Sequence, residues 1–533
     1  MTTRATSPAG VTGTAAAPEP KLGRRLAFAG TVAVASALAT GELLAGVLGA
    51  PSPLLAVARF IVDLQPPGAK DFVVSLFGEN DKVAFEVFIV LVALVIGAGL
   101  GRLAAARPDA AAGVLAVFAG AGFFAALRDP NNILVLTAIV TGLQAAVGVW
   151  VLQRLVPVAL APAAGLTAGS ETGMPSWGRR SLLQTGGAIA VASIVAGTIG
   201  RYLLERQRAP ATPVDVPGAP VGAELPPGAD IATNDLTEEG LTPIVVPNEK
   251  FYRIDTAFIP PSVDRTTWRL KVTGLVDREV ELTYDELVAM PIIEQYVTIA
   301  CVSNEVGGNL VGNAKWTGVA LKDVLDIAGV QPGADQLVGR SVDGWTAGMP
   351  VEWVMDPSRT PMIAVAMNGE PLPRAHGYPA RLIVPGLYGY VSATKWLAEL
   401  ELTRFDQFHG YWVPLGWAER APILTQSRID VPAQGANVAA GTVAVAGVAW
   451  APDRGIRAVE VQVDGGAWQP TTLSAPISKA TWVQWLYSWQ ATPGSHEISV
   501  RATDATDDVQ TDLRSRPAPD GARGHHTINI SVS

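Results

Sequence analysis

The sequence predicts an all-α apolar bundle, then an α+β domain, then a C-terminal all-β domain. Three observations predict them. Five apolar stretches crowd the first 205 residues, short strand and helix patterns mix through 246–415, and apolar and polar residues alternate at period two through 420–533. The 533-residue chain is long enough for three domains. Only 16% of its residues are charged and its mean hydropathy is +0.28, too apolar for a purely soluble chain. A formal net charge of −9 argues against nucleic acid as a partner.

Residues 1–23 read as a polar tail and 24–205 as a transmembrane domain of about five helices. Residues 26–50 and 83–101 each carry one charge, Glu42 and Glu86; residues 110–127, 132–152 and 181–200 carry none. Each approaches or exceeds the roughly 18–20 residues needed to cross a bilayer. Their abundant Gly and Ala suit close helix packing. Arg4, Lys21, Arg24, Arg25, Arg102, Arg107, Arg154, Arg179 and Arg180 fall in segments that share one side, the cytoplasmic one. Five spans with the N-terminus inside put everything after Tyr202 outside the cytoplasm. Arg179 and Arg180 open GRRSLLQTGGAIAVASIVAG, which resembles a twin-arginine export signal; ordinary positive-inside anchoring is the other reading. Glu42 serves either a proton or quinone role or a helix-packing hydrogen bond. All five histidines lie downstream of the spans, so no haem ligands are evident among them. Residues 206–245, rich in Pro and Gly, read as a semi-extended linker.

Cys301 is the only cysteine, so it forms no disulfide within its own chain. It follows a Val/Ile/Thr-rich strand, Tyr296 to Ala300, and opens a loop carrying Ser303, Asn304, Gly307 and Gly308. The segment alone is compatible with buried filler, a nucleophile or a metal ligand.

Three blocks decide among these. They are PNEKFYRIDTAFIPPSVDRTTWRLKVTGLVDREVELTYDEL (247–287), TIACVSNEVGGNLVGNAKWTGVALKDVL (298–325) and MNGEPLPRAHGYPARLIVPGLYGYVSATKWLAELEL (367–402). In the last, NGEPLP, HGYPAR, VPGLYG and KW occur in order. Together they resemble the sulfite oxidase family of molybdenum enzymes. The resemblance implies an α+β domain over 246–415 holding one molybdenum-molybdopterin cofactor, a pyranopterin dithiolene, with Cys301 as the protein's metal ligand. It places cofactor contacts at Asn248, Tyr252, Arg253, Ser341, Asp343, His376, Arg381, Ser392 and Lys395. Arg381 and Lys395 would supply the charge a phosphate needs. Cys301, Arg253 and Glu305 are the expected catalytic residues.

Residues 420–533 resemble the family's immunoglobulin-like dimerisation domain, and a homodimer is expected with it. Trp482, Trp485 and Trp489 read as core or interface. The expected chemistry is two-electron oxygen-atom transfer on a small-molecule substrate, with electrons leaving to an external one-electron carrier or a quinone-linked partner. Family members that oxidise sulfite have a basic segment after the metal cysteine. Here VSNEVGGNLVGN carries Glu305 instead, and a typical histidine is replaced by Asp255. An acidic pocket wall would oppose a dianion, which makes sulfite dehydrogenation the alternative rather than the leading reading. A non-enzymatic receptor or adhesion protein is disfavoured by retention of Cys301, His376, Arg381 and Lys395.

Overall fold

The structure, a computed structural model, describes residues 20–66, 73, 76–77, 81–129, 132–161, 177–206, 236 and 238–533. The expected tail and linker lie largely outside these residues. The chain forms two compact units: Met1–Ala58, Phe85–Arg128 and Asn132–Leu204 make the first, and Arg59–Ala84, Asp129–Asn131 and Glu205–Ser533 the second.

Six helices are bounded within the described residues before the α+β domain: α1 (Pro20–Leu48), α2 (Pro53–Asp63), α3 (Asp81–Ala106), α4 (Pro108–Ala126), α5 (Leu134–Leu160) and α6 (Trp177–Arg206). Among the described residues, five helical segments are long and apolar enough to cross a membrane: Leu22–Leu48, Asp81–Ala106, Pro108–Ala126, Leu134–Leu160 and Arg180–Arg206. They fall on the five stretches legible in the sequence. Helix α2 falls between the first two of those stretches. Its start is local chemistry: Leu55 N donates to Ser52 Oγ at 3.2 Å, and Pro53 takes the first turn, where a missing N–H costs nothing.

Within the first unit, α1 and α3 touch backbone to backbone. A Cβ on Gly101 would sit 1.8 Å from Leu26 O, and one on Gly30 would sit 2.0 Å from Gly97 O, so these positions require glycine. Buried Glu42 accepts a hydrogen bond from Ser52 Oγ, and its other oxygen lies 3.8 Å from Arg201. Arg201 in turn donates to both oxygens of Glu86, at 2.7 and 2.8 Å. Glu42 thus belongs to a polar network that ties α1, α3 and α6 together, the packing alternative of the two above.

The α+β domain of the second unit has two sheets. The first has the order β2-β1-β10-β5-β6, from β1 (Arg269–Gly274), β2 (Val280–Thr283), β5 (Gln336–Ser341), β6 (Thr346–Pro350) and β10 (Leu397–Thr403). The second has the order β3-β4-β7-β8, from β3 (Ile292–Ala300), β4 (Val311–Ala320), β7 (Met362–Met367) and β8 (Glu370–Pro371), with β9 (Arg381–Ile383) also paired to β7. Helix α7 (Tyr284–Val288) starts at a capping box in which Thr283 and Glu286 satisfy each other's backbone N–H. Helix α8 (Leu321–Ala328) buries Leu321, Val324, Leu325 and Ala328, one stripe at helical spacing. Helices α9 (Val351–Met355) and α10 (Gly389–Ser392) are short.

The C-terminal domain is a pair of sheets, β11-β13-β17-β16 and β12-β19-β18-β14-β15. The first uses β11 (Gln426–Val431), β13 (Gly441–Trp450), β16 (Thr472–Leu473) and β17 (Val483–Ala491). The second uses β12 (Asn437–Val438), β14 (Ile456–Val463), β15 (Gln469–Pro470), β18 (Gly494–Asp504) and β19 (His526–Val532). Trp485 and Trp489 pack in the sandwich core. Trp482 does not: it belongs to the core of the α+β domain, where its Nε1 donates to Ile244 O at 2.8 Å and its N to Thr298 Oγ1 at 2.8 Å. Trp482 thus helps join the two domains, with Val448, Trp450 and Ile477 in the same core. Trp482→Ala should destabilise the protein by about 3–5 kcal/mol. Leu513→Ala, at a 74% exposed position, should change stability by no more than about 0.5 kcal/mol. Denaturant unfolding of both variants checks the contrast.

Candidate active site

Strand β3 delivers Cys301. Its last ladder pair is Ala300 with Val311, and Cys301 N then donates to Leu310 O at 2.9 Å as the strands part. Cys301 is buried and lines a cavity. Around the same cavity stand Tyr252, Ser341 at the end of β5, Asp343 just beyond it, His376, Arg381 from β9 and Lys395. Gly377 permits the turn between His376 and Arg381: its φ is +115°, and an added Cβ would lie 3.1 Å from the Arg381 Cβ and 3.2 Å from Lys395.

The charges of this wall converge on Asp255. Its Oδ2 accepts from Lys395 Nζ at 2.9 Å and from Arg253 Nε at 3.0 Å, while its Oδ1 accepts from Lys82 Nζ. Burial pushes the Asp255 carboxyl up, but Lys395, Lys82 and Arg253 together outweigh burial and hold it well below the ordinary carboxylate range. Burial pulls the Lys395 ammonium down to about 8, against the opposing pull of Asp255. Burial likewise lowers Arg381 to about 10. The Arg381 guanidinium lies over the Trp316 ring, 5.0 Å from its centroid, and donates to His376 O at 3.0 Å. His376 is held down to about 3, first by burial and then by Lys395 and Arg381. Its Nε2 lies 3.1 Å from Asn248 O. A carbonyl only accepts, so Nε2 carries the proton and Nδ1 is left as an acceptor.

Of the expected site residues, Cys301, Tyr252, Ser341, Asp343, His376, Arg381 and Lys395 line the cavity; Asn248, Arg253, Ser392 and Glu305 do not. Arg253 stands behind Asp255 as its partner. Asn248 bridges chain segments through Met367 O and Asn368. Ser392 Oγ turns back to Leu387 O and Tyr388 O, at 3.1 Å each. The expectation that Glu305 walls the pocket is not met. Asn304 turns inward, with Oδ1 accepting from Leu310 N at 2.8 Å, and the turn leaves Glu305 exposed to solvent. The Coulomb argument against an anion built on Glu305 and Asp255 loses both supports, because Asp255 is surrounded by cations.

The sequence reading missed the aromatic lining: Trp345, Tyr390, Trp396, Trp412 and Trp417. Trp345 and Trp396 flank Asp343 and Lys395 in GRSVDGW and SATKW, a signal that could have been used. Nothing in the sequence pointed to Lys82.

These residues fit a pyranopterin cofactor bound to a metal. A buried thiol, buried cations for a phosphate and an unsatisfied acceptor face one cavity. Asp343 Oδ2 has no hydrogen-bond partner among the described residues, although Asp343 is only 6% exposed. A ring bearing N–H donors would satisfy it.

Residues 257–412 match the oxidoreductase molybdopterin binding domain. An uncharacterized oxidoreductase of Bacillus subtilis, YuiH, is 34% identical over 33% of this chain and 87% of its own length. Human mitochondrial sulfite oxidase is 30% identical over 56% of this chain. The chain belongs to the sulfite oxidase family of molybdopterin oxidoreductases. It spans 63% of the length of human sulfite oxidase. The family's match ends within the α+β domain, and residues 426–500 match a bacterial Ig domain. Among solved structures, the sulfane dehydrogenase SoxCD from Paracoccus pantotrophus aligns with 56% of this chain and 86% of that one, at 24% identity and a TM-score of 0.48.

His376 gives the site a pH signature. Its folded value near 3 lies below the unfolded value of 6.5, so the unfolded chain binds the extra proton between them. Its share of stability is complete above pH 6.5 and is lost as pH falls towards 3. In cofactor-free protein, His376→Gln should flatten the stability profile in that window by up to a few kcal/mol. Denaturant titrations from pH 7 to 4 check this; parallel profiles would contradict it.

Proposed function

We propose that this chain is a multi-pass, membrane-anchored molybdenum oxidoreductase whose catalytic and C-terminal domains lie outside the cytoplasm. The observation that carries the reading is a single buried cysteine beside a cation-rich wall within a molybdopterin-binding domain. Five apolar helices support the anchoring. Cys301 would hold the metal, and Arg381 and Lys395 the cofactor's phosphate. Neutral His376 would accept an N–H, and Asp343 Oδ2 another. When bound, the cofactor supplies two-electron oxygen-atom transfer.

The net reaction takes an oxygen from water: a lone-pair substrate and H₂O give the oxide, two protons and two electrons. The electrons leave singly to an external carrier or a quinone-linked partner. This chain's residues bind and orient. The Trp345, Trp412 and Trp417 rings present apolar surface to the cavity and limit water there. Burial raises the Tyr390 hydroxyl well above its ordinary range, so it stays protonated and donates to Ala418 O. Asp255, held ionised by its cations, is no proton donor at neutral pH.

Sulfite is the favoured first substrate to test, because exposed Glu305 no longer argues against an anion. Steady-state assays with sulfite and a sulfoxide panel, using artificial electron donors and acceptors, test the reading; no turnover by molybdenum-loaded protein would contradict it. Cys301→Ser should keep the fold and the pterin but abolish turnover, through loss of a thiolate ligand. Wild-type activity in that variant would remove Cys301 from the metal site. Export through the twin-arginine route is part of the proposal. Replacing Arg179 and Arg180 with Lys preserves charge, so topology should survive while the catalytic domain stays protease-protected inside the cell. Normal external exposure would leave only the positive-inside role.

A further inference from the structure

Residues 59–84 precede the molybdopterin-binding match by far in sequence, yet fold into the same compact unit. Among the described residues, Arg59, Asp63 and Lys82 attach them. Arg59 Nη2 donates to Asp343 O at 2.6 Å, Tyr411 Oη donates to Asp63 Oδ1 at 2.5 Å, and Lys82 Nζ donates to Asp255 and, at 2.9 Å, to Ala257 O. Of the four partner residues, Asp343 and Asp255 line the cavity.

Lys82 does not line it; it stands behind Asp255. With Lys82 present, each Asp255 oxygen has its own ammonium partner: Lys82 on Oδ1 and Lys395 on Oδ2. Lys82, Arg253, Arg381 and Lys395 form a neighbourhood of four cations against the carboxylates of Asp255 and Asp343. Such an excess in a partly buried wall is costly unless an anion completes it. Without Lys82, Asp255 Oδ1 loses its ammonium, the carboxylate draws more on Lys395 and Arg253, and the excess shrinks by one.

We propose that Lys82, supplied by the first turn of α3, is a positioning residue of the cofactor site. By engaging Asp255 it leaves Lys395 set for the phosphate of the pterin cofactor, and it adds its own charge to that anion's field. The site is therefore completed by a segment outside the family's domain. This inference rests on the cofactor reading proposed above.

The test uses the purified full-length protein and measures molybdenum and released pterin per chain, together with the rate of pterin loss on dilution. Lys82→Met keeps the apolar stem and removes the charge. It should lose pterin roughly tenfold faster than wild type, as expected for one charge acting across a partly buried site. Lys82→Arg should restore retention, which a purely space-filling role would not require. Lys271→Met, a 57% exposed surface charge, should retain pterin as wild type does. Wild-type retention in folded Lys82→Met overturns the inference while leaving the cofactor reading intact. So does normal retention with a raised KM for sulfite, which would assign Lys82 to the substrate. Equal loss in Lys82→Met and Lys82→Arg also overturns it. If Lys82→Met fails to fold, the comparison of Lys82→Arg with wild type decides: retention more than threefold poorer overturns the inference. A wild-type protein without pterin overturns the cofactor reading itself.

Discussion

The buried carboxylate of Asp255 is the constraint on which the site depends. Lys395, Arg253 and Lys82 all reach it, from chain positions far apart in sequence. Ammonium and guanidinium groups brought this close repel one another, and burial, with Arg381 and Arg253 nearby, lowers Lys395 to about 8 even against the pull of Asp255. A shared anion is what lets them coexist. The replacement of a histidine by Asp255 read in the sequence as an obstacle to anions. In the fold it organises the positive charge.

Placement of the metal cysteine depends on backbone geometry instead. The β3–β4 ladder ends at Ala300 and Val311, and the loop beyond it turns Cys301 inward and Glu305 outward. Asn304 makes that choice by accepting from Leu310 N. A loop residue four positions from Cys301 can face either way, and side-chain identity does not decide which. That is why the inward position of Cys301 could be expected from its motif while that of Glu305 could not.

Most of the fold was legible for simple reasons. Apolar runs of membrane length located the five long helices, and period-two alternation located β13, β14, β17, β18 and β19. Helix α2 was hidden because 11 residues are too short for a span signal, although Ser52 and Pro53 mark its start. Trp482 is core, as expected, but in the neighbouring domain rather than beside Trp485 and Trp489, because which face of a strand end meets which sheet is a tertiary matter. The site residues carried by motifs, among them His376, Arg381 and Lys395, were found by resemblance. The aromatic lining and Lys82 were not, since contacts across long sequence separations leave no local pattern.

Asp255 arranges the cations rather than merely reducing their charge. Molybdenum and pterin content of full-length Asp255→Asn beside wild type separates the two effects. If charge alone mattered, removing a negative group would strengthen binding of an anionic cofactor. If arrangement matters, Lys395, Arg253 and Lys82 lose their common acceptor, and cofactor content falls well below wild type, which is the expected outcome. Content equal to or above wild type in the folded variant would overturn the arranging role.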